Sequence, residues 1–266
     1  MNAHTAIHAE PVRAPSLLLA LTELPRALAE LSSLAPSAAP LLALSPRGDG
    51  HPVMVLPGFV TSDASTTLLR GFLDRLGYDA LPWDLGRNLG PRAIGWMGEK
   101  LIDRVESAHR ETGKRISLIG WSLGGVMARQ VSRRLPQAVR QVITLGSPFA
   151  GSPRASNVWR TYETLTGQRI DDKDTREQLK ESALPPPVPS TAIYSREDGI
   201  VAWQNCREPA SAQTDNIEVH GSHCGLGVNP TVLYAIADRL AQKDGDWHKF
   251  ERGGLRALVY PEVGRA

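Results

Sequence analysis

A chain of 266 residues is long enough to bury one sizeable core, and α/β folds of this length commonly form one domain, so length does not ask for a second. With 30 Lys and Arg against 28 Asp and Glu, the chain has no basic face for nucleic acid and no strong field for an acidic partner. Two cysteines, Cys206 and Cys224, are too few for a disulfide scaffold; reduced thiols are the expectation and a single bridge the alternative.

Leu17, Leu18, Leu19, Ala20 and Leu21 resemble the apolar heart of a signal peptide. No Lys or Arg precedes Arg13, however, and Glu23, Pro25, Arg26 and Glu30 interrupt the run before it reaches export length. No stretch approaches about 18 consecutive apolar residues, so the expectation is a cytoplasmic chain without a membrane span. Leu17, Leu21, Leu24, Leu28 and Leu31 recur at helical spacing, on one helix or on two joined near Pro25. That stripe is expected to dock on the body of the fold; lining the substrate entrance or touching lipid are the alternatives. Residues 35–50, carrying Pro36, Pro40, Pro46, Gly48 and Gly50, read as a connector that completes an N-terminal segment, 1–50.

From Val53 onward, short apolar runs alternate with longer amphipathic stretches, the pattern of a parallel sheet flanked by helices. The runs are 53–56, a weaker one at 78–81, 116–119, 142–145, 191–194 and 217–219; buried parallel strands are apolar throughout because both faces are covered. Helices are expected at 64–76, 91–111, 122–135 and 230–241. Together they form an α/β domain over 51–242, followed by a polar tail at 243–266. Residues 151–189 break the alternation with an amphipathic stretch bearing Val158, Trp159, Tyr162 and Leu165, then a polar helix around 175–182. An insertion where strands end is well placed to cap a pocket, with Trp159 and Tyr162 as substrate contacts; a surface excursion without function is the alternative.

The run at 116–119 leads into Gly120-Trp121-Ser122-Leu123-Gly124, and Val126, Met127, Val131 and Leu135 then follow at helical spacing. A strand, a sharp turn and a helix with serine at the tip form a nucleophile elbow. Such a turn brings strand and helix so close that side chains beside the serine would clash, a demand met by Gly120 and Gly124. Ser122 is thus the candidate nucleophile, and the Leu123 amide, at the start of a helix, a candidate oxyanion donor. A second donor is expected after the strand 53–56, where Pro57-Gly58-Phe59 turns across the pocket and offers the Phe59 amide.

With these features the sequence resembles the lipase and esterase branch of the α/β-hydrolase superfamily, from Val53 to about Leu240. The His-Gly pair common after the first of these strands in that superfamily stands here as Pro57-Gly58. The resemblance implies a doubly wound, mostly parallel sheet with a helical cap, and a base and acid in the chain order serine, acid, histidine. Of the seven histidines only His220 and His223 lie suitably late, beyond the strand at 217–219. His223, in the loop before the last helix, matches the superfamily's base position, and His220 is its rival. Asp198, in the loop after 191–194 and followed by Gly199, matches the acid position, with Glu197 as its rival.

Cys206, His220, His223 and Cys224 are all metal-ligand types, but their spacing fits neither a zinc cysteine pair nor a zincin helix, so no metal or other cofactor is expected. Arg87, Asn88 and Arg92 follow a strand and either reach the pocket rim or form a solvated turn. The expected activity is hydrolysis of a small-molecule or lipid carboxylic ester through an acyl-enzyme. An acyltransferase or thioesterase using the same three side chains, and a non-catalytic binding protein on this fold, remain open. Oligomeric state is not legible.

Overall fold

A computed structural model describes residues 12–262. Its centre is a six-stranded, all-parallel sheet: β1 (Pro52–Leu56), β2 (Asp79–Pro82), β3 (Ile116–Trp121), β4 (Val139–Leu145), β5 (Ser190–Ser195) and β6 (Thr214–Val219), in the order β2-β1-β3-β4-β5-β6. Five strands contain the apolar run expected from sequence, extended mainly at polar ends such as Thr214, Asp215 and Asn216, while β2 lies one residue later than the expected 78–81. Because side chains alternate across a strand, Val53 and Val55 enter one core while Met54 and Leu56 enter the other. The first core packs against α3 (Asp63–Leu76) and α9 (Pro230–Leu240), the second against α5 (Glu99–Thr112) and α6 (Leu123–Arg134). Chain direction across the sheet reverses at β1, so a crevice opens beyond the carboxyl ends of β1 and β3.

One helix expected over 91–111 is instead two, α4 (Pro91–Ile94) and α5. Gly95 and Gly98, at φ 89° and 77°, separate them and leave Trp96 and Met97 exposed between. The insertion supplies α7 (Trp159–Thr166) and α8 (Lys173–Ala183). Phe250 and Tyr260 of the C-terminal segment bury themselves in the first core, the Tyr260 hydroxyl donating to the Thr231 carbonyl at 2.7 Å.

The N-terminal segment differs most from expectation. After α1 (Leu17–Leu21), α2 runs from Glu23 to Leu44, straight through Pro36 and Pro40, so residues 35–44 are helical rather than a connector. Buried Leu41 and partly buried Leu34 and Leu42 pack on the first core, and this packing offsets the hydrogen bonds the prolines remove. The leucine stripe does not dock: Leu17, Leu21, Leu24, Leu28 and Leu31 are 41% to 79% exposed. The opposite face, with Glu23, Arg26 and Glu30, meets the body of the fold, because those groups find unpaired backbone donors and acceptors there. By length and composition α2 is also apolar enough to cross a membrane, contrary to the count of consecutive apolar residues, since its charges crowd into its first eight positions.

Candidate active site

Ser122 sits between β3 and α6 at φ 52° and ψ −120°, a left-handed backbone that costs on the order of 1–3 kcal/mol and persists only where surroundings impose it. Three glycines permit the close packing that holds it. A Cβ on Gly120 would lie 2.3 Å from the Gly125 Cα, one on Gly124 2.5 Å from the Leu56 carbonyl oxygen, and one on Gly125 2.8 Å from the Gly120 carbonyl oxygen. The Ser122 amide donates to the Leu145 carbonyl at 2.8 Å, tying the turn to β4. The sequence pattern anticipated Gly120 and Gly124; Gly125 is a third requirement.

The loop after β1 faces this turn, with Gly58 so close that a Cβ there would stand 3.5 Å from the Ser122 Cβ. Its shape is set by Asn88. That side chain is fully buried and donates to the Pro57 carbonyl at 2.8 Å; the Val60 amide donates to the Asn88 carbonyl at 2.8 Å, and the Asn88 amide to the Thr61 carbonyl at 2.7 Å. Asn88 is therefore a clamp rather than part of a solvated turn, while Arg87 and Arg92 are exposed. The clamp holds Val60 at φ 58°, an unusual conformation for a branched residue. Among the described residues neither the Phe59 amide nor the Leu123 amide donates to a protein acceptor.

The loops after β5 and β6 bring Asp198 to His223: Asp198 Oδ2 lies 2.6 Å from His223 Nδ1, and both side chains are buried. The other carboxylate oxygen accepts the amides of Ile200 and Val201, each at 2.8 Å, which fixes the acid's orientation. Trp121, the neighbour of Ser122, donates its indole N–H to the His223 carbonyl at 3.0 Å and so joins the base loop to the serine turn. The Ser122 hydroxyl makes no hydrogen bond among the described residues, a looseness common before substrate tightens a site. Burial pushes the His223 pKa down, but the charge and hydrogen bond of Asp198, with the charge of Glu23, outweigh it and leave the imidazole above its ordinary value. The two rival residues pair with each other instead, at the surface, with His220 Nδ1 2.8 Å from Glu197.

An apolar cavity opens in front of Ser122, walled by Phe59, Leu123, Val126, Val158, Trp159 and Tyr162. The Tyr162 ring packs 5.3 Å from that of Phe59, its hydroxyl donates to Gln168 at 2.6 Å, and burial pushes its pKa up to about 12. Trp159 carries the Arg154 and Arg160 guanidinium groups on its ring at 4.8 and 5.1 Å. Leu165, expected on the same face, points to solvent. Cys206 and Cys224 are free thiols, and among the described residues no three His, Cys, Asp or Glu side chains gather as a metal set.

Solved structures share this architecture. The Aspergillus fumigatus lipase B matches with a TM-score of 0.56 and 18% identity over 74% of this chain and 54% of that one. The Paleococcus ferrophilus monoacylglycerol lipase matches at 0.52 and 15% over 73% and 96%. The chain has the α/β-hydrolase fold. Within it, residues 97–186, which hold both the serine turn and the helical insertion, match the PGAP1-like alpha/beta domain model. Curated relatives of this chain include a triacylglycerol lipase of Burkholderia plantarii, 25% identical over 248 residues, or 83% of this chain and 69% of that protein. A triacylglycerol lipase of Pseudarthrobacter phenanthrenivorans is 28% identical over 156 residues, 50% of this chain and 49% of that one. Sequence reasoning missed Glu23 and undervalued Asn88; an acidic residue among helical leucines and an Asn in a Gly-rich turn carry no local sign of burial.

Proposed function

We propose that this α/β-hydrolase cleaves carboxylic esters by two-step acyl transfer, with Ser122 as nucleophile, His223 as base and Asp198 as its orienting acid. The observation that carries the reading is the serine's position. It stands on a strained turn at a helix N-terminus, on the wall of a largely apolar cavity that Phe59 and Leu123 also line, and that turn is bonded to the loop of a buried His–Asp pair. As the Ser122 oxygen attacks the ester carbonyl, His223 takes its proton and the amides of Phe59 and Leu123 hold the oxyanion. Asp198 keeps Nδ1 protonated, so that Nε2 is the accepting nitrogen, and stabilises the imidazolium. The imidazolium then protonates the leaving alcohol, and a water molecule, deprotonated by His223, releases the acid from Ser122.

The apolar wall suits an acyl chain or another apolar group rather than a charged one, and the distant triacylglycerol lipases support a lipid ester. Trp159 and Tyr162 of the cap are then chain contacts. The test is a ladder of aryl esters of increasing acyl length, with a matching amide and thioester, given to the wild type and to Ser122→Ala. Turnover and fluorophosphonate labelling at Ser122, both lost in Ser122→Ala, are expected, with Trp159→Ala and Tyr162→Ala weakening long esters more than acetate. Labelling at another residue, or full turnover by Ser122→Ala, would remove the reading.

A further inference from the structure

The polar face of α2 grips both loops that carry the His–Asp pair. Glu23 is only 2% exposed, and its carboxylate accepts three backbone amides: Gly199 at 2.7 Å, His223 at 3.1 Å and Cys224 at 2.9 Å. Gly199 directly follows Asp198, so a single carboxylate binds the acid loop and the base loop together. One turn further along, Arg26 donates to the Glu197 carbonyl at 2.8 Å and to Glu23 at 2.9 Å. Glu30 accepts the Ser222 amide at 2.7 Å and the Asn229 side chain at 3.2 Å. Residues 23, 26 and 30 share one helical face. They hold the backbone on both sides of Asp198 and of His223, while the leucines on the other face are exposed.

We propose that Glu23 is a positioning residue for the reaction inferred above. It fixes the distance between the Asp198 and His223 loops and adds a second negative charge near the imidazole. A carboxylate accepting several amides is strongly oriented, and its charge-assisted bonds are about twice as strong as neutral ones. It also satisfies buried amides that would otherwise be orphaned in the loops that must be rigid. Arg26 accompanies it, so the pair brings charge to the site without leaving a lone buried carboxylate. The charged groups that act on His223 are Asp198 from the loop after β5 and Glu23 from α2, with Arg26 paired to Glu23. This inference rests on the proposed acyl transfer for its kinetic consequences, but not for its electrostatic one.

The experiment compares Glu23→Gln, which keeps the volume and one acceptor oxygen, with Glu23→Ala, and with Leu24→Gln on the exposed face as control. The first readout is the His223 pKa, followed by NMR of the imidazole in the folded proteins: it falls in Glu23→Gln and stays in place in Leu24→Gln. The second is ester kinetics: kcat drops on the order of tenfold in Glu23→Gln and further in Glu23→Ala, with KM for a short ester little changed, as expected when reacting groups are misaligned without loss of binding. The acid limb of the pH profile moves to lower pH with the imidazole. A folded Glu23→Gln with an unmoved His223 pKa and unchanged kcat overturns the inference, as does a loss confined to melting temperature. If the wild type neither turns over esters nor labels at Ser122, the acyl-transfer reading fails, and the NMR titration alone still decides whether Glu23 governs the imidazole.

Discussion

Two sets of serine, histidine and aspartate lie at opposite ends of β3, and the proposed chemistry falls to only one of them. At the amino end, Ser117 Oγ lies 2.8 Å from His51 Nε2, while Asp49 bonds His51 Nδ1 and is held in turn by Arg140 at 2.8 Å. At the carboxyl end are Ser122, His223 and Asp198. By hydrogen bonds alone the amino-end set is the more complete. Ser117, however, is fully buried within a regular strand, paired with Val53 and Gln141 on either side, and no helix N-terminus follows it. Ser122 has a left-handed backbone, a helix behind it, two unpaired amides and an open cavity. The contrast teaches that three residue types in contact can be no more than a strut, and that the proposal for Ser122 rests on the backbone and cavity beside it.

The histidines should separate the two sets most sharply. His223→Ala is expected to lower ester turnover on the order of a thousandfold or more, as for a lost triad member. His51→Ala should leave kcat and KM near wild type and instead lower stability by about 1–3 kcal/mol, because its buried polar partner is left unsatisfied. Steady-state kinetics beside thermal melts reads both. A folded His51→Ala that loses turnover would break the comparison.

A second distinction lies in pH, where the two imidazoles have opposite signs. Burial, helped by the Arg140 charge, takes His51 below 6.5 despite its bond to Asp49, whereas His223 lies above 6.5. A raised folded pKa contributes stability that is full below 6.5 and lost as pH rises through the folded value. A lowered one contributes stability present above 6.5 and lost as pH falls towards its folded value. Melting temperature should therefore fall less on acidification below 6.5 in His51→Ala than in the wild type. Across the window just above 6.5, His223→Ala should lack the wild type's gain on acidification. Turnover needs neutral His223, so kcat/KM should decline as pH falls through a value above 6.5. A decline centred below 6.5 would contradict the raised imidazole.

The smallest expected effect is that of Ser117→Ala. Losing one buried hydrogen bond there should cost about 1 kcal/mol in urea unfolding, with fluorophosphonate labelling still confined to Ser122. Labelling that disappears would mean that the amino-end set reaches the chemistry.

The fold was legible because parallel strands buried on both faces leave nearly continuous apolar runs, as at Val53 to Leu56, and because the glycines around Ser122 have one steric explanation. The neighbourhoods of Asp198 and His223 were legible only through resemblance, since nothing local marks a loop residue as buried against another loop. The N-terminal helix was misread for two physical reasons. Helical spacing identifies a stripe but does not say which side the protein covers, and here three polar groups found better partners than five leucines did. Pro36 and Pro40 signal a break that packing of Leu34, Leu41 and Leu42 overrides. Asn88 and Glu23 were illegible because their importance lies in backbone groups more than 25 residues away in sequence.

The bonds from Glu23 to His223 and Cys224 join residues 200 and 201 positions apart. Neither contact can form during synthesis before His223 and Cys224 have emerged, within five residues of Val219 at the end of the last strand. Closing so long a loop costs entropy that only the finished contacts return, which places these bonds late in the order of assembly. The first thirty residues thus close over loops that the last third of the chain supplies.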